Sequence, residues 1–108
     1  MMRGQQARDK DGLFTIKVLL RRPDAESRAA VVISRKTAKS AVQRNRMRRR
    51  IFEILRQNWG HLPAHADIVV IVHDASLREL SHDDLRKRLA VTTEAAFVKV
   101  GRPKQHGA

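Results

Sequence analysis

The sequence predicts one α+β domain: a small twisted sheet of three to four strands carrying two helices, in the order β-β-α-β-α. Three stretches carry that expectation. Residues 13–20 alternate between two faces, one of them wholly apolar. Residues 41–58 show a basic amphipathic helix pattern. Residues 67–72, Asp-Ile-Val-Val-Ile-Val, form a near-continuous apolar run. A chain of 108 residues has room for one domain with one modest core.

Residues 1–12 are polar and are expected to fray or to add a short edge strand. The domain itself is placed at 13–98, followed by a loose basic tail over 99–108. Between Leu13 and Leu20, Phe14, Ile16, Val18 and Leu20 point one way, and Leu13, Thr15, Lys17 and Leu19 the other, as in a strand with one buried face. Pro23-Asp24 is a turn signal, because proline presets φ and aspartate bonds its own backbone. Arg28–Ser34, rich in valine and isoleucine, reads as a second strand, and the two strands together as a hairpin with a moderately long loop. Thr37 or Ser40 can cap the following helix, which should stop near Asn58, ahead of Gly60 and Pro63. The run 67–72 reads as a central strand covered on at least part of both faces. Ser81-His82-Asp83-Asp84 resembles a capping box for a last helix, with Leu85, Leu89, Thr92 and Ala96 on its inner side.

The first helix holds the densest chemistry. Five arginines and one asparagine fall within seven residues, Arg44 to Arg50. At helical spacing Met47, Ile51, Ile54, Leu55 and Asn58 share one side; Arg46, Arg49, Arg50, Glu53 and Arg56 share the other. Crowded cations repel one another along a helix, and a polyanion relieves that repulsion. Arg44 and Arg48 fall toward the apolar side in the first turns, where they are expected to fan out past its edge. Arginine presents a planar fork that suits phosphate oxygens and stacks on bases. Asn45 offers both a donor and an acceptor to a base edge or ribose.

Composition agrees. Lys plus Arg number 23 against 11 Asp plus Glu, a net charge of +12, so the default partner is nucleic acid, or else an anionic membrane surface, which the sequence supports only weakly. No apolar run approaches the roughly 18 residues of a spanning helix. With no cysteine there is no disulfide framework and no thiolate site, which fits a cytoplasmic protein. The residues assemble no catalytic or metal-ligating constellation. His61 and His65 are separated by Pro63, His73 and His82 lack companion ligands, and Asp83 and Asp84 read as helix N-terminal charges. No glycine-rich phosphate loop is present.

The motif and element order resemble the protein subunits of bacterial ribonuclease P. Those proteins carry a strand ending in a Ser-Lys-Lys-like sequence, a short link, and a helix opening Arg-Asn-Arg. Here the match is Val32-Ile33-Ser34-Arg35-Lys36, then Ala41-Val42, then Arg44-Asn45-Arg46-Met47-Arg48-Arg49, with Glu53 beyond. Residues 67–72 and 81–98 match the family's last strand and helix, so the resemblance covers about residues 13–98. It implies a fold like the second domain of ribosomal protein S5, with a left-handed crossover around the arginine helix. It implies that a catalytic RNA, with Mg2+ bound mainly by that RNA and no cofactor on the protein, removes the 5′ leader of precursor tRNA. Arg44, Asn45, Arg46, Arg48, Arg49 and Arg50 would then bind the RNA subunit. Arg35, Lys36 and Lys39 would extend that surface, and Thr15 and Lys17 would line the leader cleft. The protein would be a cytoplasmic monomer within the holoenzyme. The chain departs from the family in four places. It starts too late for the usual N-terminal helix, Phe52 stands for a further arginine, Lys17 for an aromatic, and Ala30 for a glycine.

Two other readings fit the composition. One is a ribosomal or ribosome-assembly protein with no enzymatic role. The other is a DNA-binding protein with the arginine helix in the major groove, although an extended segment, not a helix, precedes it.

Overall fold

The computed structural model describes residues 5–20, 28–57 and 66–99. Their elements are β1 (Gln5–Arg8), β2 (Phe14–Leu20), β3 (Arg28–Ile33), α1 (Ala41–Gln57), β4 (Ala66–Val72), a short 3₁₀ helix (Ala75–Glu79) and α2 (His82–Lys99). The expected turn at Pro23-Asp24, Asn58, the stop at Gly60 and Pro63, the residues His61 and His65, and the tail from residue 100 lie outside the described residues.

The strands form one sheet in the order β1-β2-β4-β3. β2 runs antiparallel to β4, with Ile16 opposite Val70, and β3 runs parallel to β4, with Val31 opposite Val70. The expected hairpin between β2 and β3 is therefore corrected: β4 lies between them. The physical reason is burial. β4 alternates fully buried with half-buried residues along its length, so it takes the centre, where both edges are paired. α1 supplies the length that a parallel connection from β3 to β4 requires.

The hairpin that does form joins β1 to β2, with Ala7 opposite Ile16. Its turn uses Asp9 and Gly12. The Asp9 N–H donates to the Phe14 carbonyl at 2.9 Å, and the Gly12 N–H to the Asp9 carbonyl at 2.8 Å. Gly12 sits at φ 72°, where a side chain is disfavoured. The Asp9 carboxylate accepts from the N–H groups of Asp11 and Leu13 at 3.2 and 3.3 Å. It also accepts from Arg88 of α2 at 3.0 Å, and Arg88 reaches Asp11 at 2.9 Å. The folded unit thus takes in Gln5–Arg8, ahead of the boundary expected at residue 13, and α2 still contains Lys99.

One face of the sheet is covered. α2 packs over β1 and β2, and α1 packs over β3. The sheet contributes Ala7, Phe14, Ile16, Val18, Val31, Ile33, Ile68, Val70 and Val72 to a single core. α1 adds Met47, Ile51, Ile54 and Leu55, and α2 adds Leu85, Leu89, Ala96 and Phe97. The 3₁₀ helix seals the assembly with Leu77. The opposite face, with Lys17, Ala30 and Val32 exposed and Val69 and Ile71 half-buried, carries neither helix. No helix among the described residues is long and apolar enough to cross a membrane.

Candidate nucleic-acid interface

α1 begins where Ser40 caps it. The Ser40 hydroxyl accepts from the Gln43 N–H at 3.3 Å, and its carbonyl from the Arg44 N–H at 3.0 Å. Thr37, the other candidate cap, serves the preceding turn instead. Its N–H donates to the Ser34 hydroxyl at 3.2 Å, and its hydroxyl to the Val72 carbonyl at 3.3 Å. That bond fixes the link between β3 and α1 to the end of β4. Arg35, Lys36 and Lys39 project from this link, all exposed.

The arginines of α1 divide into two groups. Arg44 bends back onto the link and donates to the carbonyls of Ala38 and Lys39 at 2.8 and 3.0 Å. Arg48 donates to the Asn45 side-chain oxygen at 3.0 Å and lies 3.4 Å from the Val31 carbonyl at the sheet edge. Arg50 reaches across to the segment before α2, donating to the Leu80 carbonyl at 2.6 Å and the Arg78 carbonyl at 3.3 Å. These three are half-buried and tie α1 to its neighbours. The expected fan of guanidiniums around the helix start is corrected accordingly: Arg44 and Arg48 fold inward because nearby carbonyls need donors. Arg50, expected on the outer face, is a flank residue. Arg46 and Arg49 are exposed and make no side-chain bond among the described residues, and Asn45 stands beside them.

The two leader-cleft candidates also separate. Lys17 is exposed on the uncovered sheet face. Thr15 is only 7% exposed, and its hydroxyl lies 2.8 Å from His73 Nε2. It therefore supports the sheet end and does not line an open surface.

A cleft absent from the sequence reading lies on the flank of α1 facing the 3₁₀ helix. It measures about 420 Å³ and is lined by Gln43, Arg46, Met47, Arg50 and Arg78. Arg78 Nη1 donates to Gln43 Oε1 at 2.9 Å. Nothing in sequence spacing links residues 43 and 78; only the return of the chain through β4 does. Among the described residues no cluster of three His, Asp or Glu side chains is placed to hold a metal ion.

The sheet order, the crossover helix and its cationic outer face define a small basic α+β protein built to present arginines. The profile of the Ribonuclease P family matches residues 2–96, and the chain belongs to that family. This separates it from the ribosomal proteins that its composition fits equally well. A ribonuclease P protein component from Marinomonas sp. is 30% identical over 88 residues, covering 80% of this chain and 64% of that protein's length. Among solved structures, an RNase P protein from Thermotoga maritima is similar at 26% identity with a TM-score of 0.71, covering 83% of each chain. An RNase P protein from Staphylococcus aureus shares the fold at 20% identity with a TM-score of 0.70, over 87% of this chain and 75% of that one.

Proposed function

We propose that this chain acts as the protein component of a ribonuclease P holoenzyme. It binds a catalytic RNA and the 5′ leader of precursor tRNA, and the RNA hydrolyses the phosphodiester that frees the leader. The observation that carries this reading is the exposed pair Arg46 and Arg49, unpartnered among the described residues, on a capped helix in a chain of this family. The two lie one turn apart, roughly 4.5 Å along the helix axis, on a rigid support. Each guanidinium suits two phosphate oxygens. Asn45 gives its oxygen to Arg48 and keeps its amide N–H groups for a ribose or base. Arg35, Lys36 and Lys39 extend the same surface. Arg44, Arg48 and Arg50 contribute field more than contact, since their donors already serve carbonyls.

On the uncovered sheet face Lys17 takes a leader phosphate, while Val32, Val69 and Ile71 pack on sugar and base. Magnesium belongs to the RNA in this reading. A face crowded with guanidiniums repels a divalent cation, whereas phosphates supply its hard oxygen ligands. The protein works as a cytoplasmic monomer within the holoenzyme.

The test is reconstitution with the ribonuclease P RNA of the same organism, at low magnesium and moderate salt, following leader release from precursor tRNA. Stimulated cleavage at the correct site is the expected result. Absence of both RNA binding and stimulation overturns the reading.

A further inference from the structure

The cleft between α1 and the 3₁₀ helix shares only Arg46 and Arg50 with the proposed interface. Its wall on α1 is one stripe, Gln43, Arg46, Met47 and Arg50, and Arg78 faces that stripe from the 3₁₀ helix. No carboxylate lines it. Three arginines elsewhere in the fold pair with acids: Arg28 with Asp67, Arg86 with Asp83, and Arg88 with Asp9 and Asp11. Arg46, Arg50 and Arg78 have no acidic partner among the described residues, yet they converge on one cleft.

The cleft is also held in shape. Arg50 bonds the main-chain carbonyls of Arg78 and Leu80, which fixes the 3₁₀ helix against α1. Asp74 caps the start of that segment, accepting from the Ser76 N–H at 2.9 Å. Leu77 anchors it, fully buried. Arg78 spends one donor on Gln43 and retains the rest of its fork. Three guanidiniums lining one cleft repel, and an anion among them lessens that penalty. The cleft volume of about 420 Å³ lies within the roughly 300–1,000 Å³ of small-molecule pockets, so a phosphate with its ribose fits.

We infer that this cleft takes one phosphodiester of the RNA backbone, with Arg78 and Arg46 on its oxygens and the Gln43 amide on the neighbouring ribose hydroxyl. RNA is the occupant because Arg46 belongs to both surfaces: it stands on the outer face of α1 and on the rim of the cleft, so one strand runs continuously across both. The inference rests on the proposed function for the identity of that RNA. It adds Arg78 and Gln43 to the interface.

Two full-chain variants test it. Gln43→Glu sets a carboxylate where Arg78 already bonds, keeping the contact while lowering the charge of the cleft by one. Arg78→Ala removes the fork but leaves the main-chain carbonyl that Arg50 uses. Both are titrated against the organism's ribonuclease P RNA over a salt series, with Arg49→Ala alongside as a reporter of the outer face. Each cleft variant is expected to flatten the slope of log Kd against log salt by up to about 0.7–0.9, the share of one phosphate, because Arg46 remains on the same group. The thermal midpoint of Gln43→Glu stays unchanged. If Arg49→Ala flattens the slope and neither cleft variant does, the cleft assignment is overturned and the proposed function stands. If the wild-type protein does not bind the RNA, both fall.

Discussion

Replacing Arg46 and Arg49 together by alanine separates binding from folding, because neither side chain bonds to anything among the described residues. Each phosphate neutralised contributes about 0.7 to the salt slope on a single strand and about 0.9 on a duplex, so the double variant should lose about 1.4–1.8 of slope. A fourfold rise in salt is 0.6 decades, so over it the wild type should weaken about tenfold more than the variant. Stability should stay within about 0.5 kcal/mol, as for surface changes that break no contact, and alanine is the better helix former. Arg50→Ala is the contrasting case. It deletes charge-assisted bonds to the Leu80 and Arg78 carbonyls at 2.6 and 3.3 Å. Bonds to charged groups contribute about 1.5–3 kcal/mol, and the longer, exposed one counts for less, so the loss should be about 2–3 kcal/mol. For a domain of this size that lowers the midpoint by roughly 10 °C. Salt-series binding to the RNA and thermal unfolding by circular dichroism measure the two quantities. An unchanged slope with Arg46 and Arg49 removed, or an unchanged midpoint without Arg50, refutes the division of the arginines argued above.

Three further perturbations probe the frame. Ile51→Asp places an unpaired charge at a fully buried position facing the sheet, and the domain should lose its cooperative unfolding transition; a soluble variant with a native-like midpoint would contradict the helix phase. Asp9→Ala leaves Arg88 with the exposed Asp11 alone and strips two turn N–H groups of their acceptor, which should cost about 1.5–3 kcal/mol in chemical denaturation. The Asp74 carboxyl is held below its ordinary value of 3.8, chiefly by the Ser76 backbone N–H. Its folded value is depressed, so its contribution is present above that ordinary value and is lost as pH falls through the folded one. Asp74→Ala should therefore flatten the acid limb of the stability curve, and an identical limb in both proteins would count against the cap.

Local periodicity made much of the frame legible. Met47, Ile51, Ile54 and Leu55 repeat at helical spacing and are all buried, and Phe14, Ile16 and Val18 alternate onto the core face of β2. Strand order was not legible, because pairing is decided between distant segments. Pro23-Asp24 suggested a hairpin, yet β4, the strand most buried on both faces, takes the place between β2 and β3. The hairpin that forms had its own signal in Asp11-Gly12, within residues read as polar. The site follows the same rule. The density of arginine was visible, but its division was not, since it depends on carbonyls at Ala38, Val31 and Leu80 that only the fold brings near. Thr15 looked surface-facing by alternation, and His73, 58 residues away, covers it.

Charge and geometry can be separated within the arginine group by lysine replacement. Lysine keeps the positive charge and loses the planar fork. At Arg46 the charge is what a phosphate feels at long range, so Arg46→Lys should retain the salt slope while the affinity falls with loss of the bidentate contact. At Arg50 two main-chain carbonyls are reached by two different nitrogens of one guanidinium, Nη1 to Arg78 and Nη2 to Leu80. A single ammonium on a flexible stem does not span both, so Arg50→Lys should lower the thermal midpoint nearly as far as alanine does, although no charge is lost. A lysine at position 50 that restored wild-type stability would mean that the charge, and not the fork, holds the segment before α2 against α1.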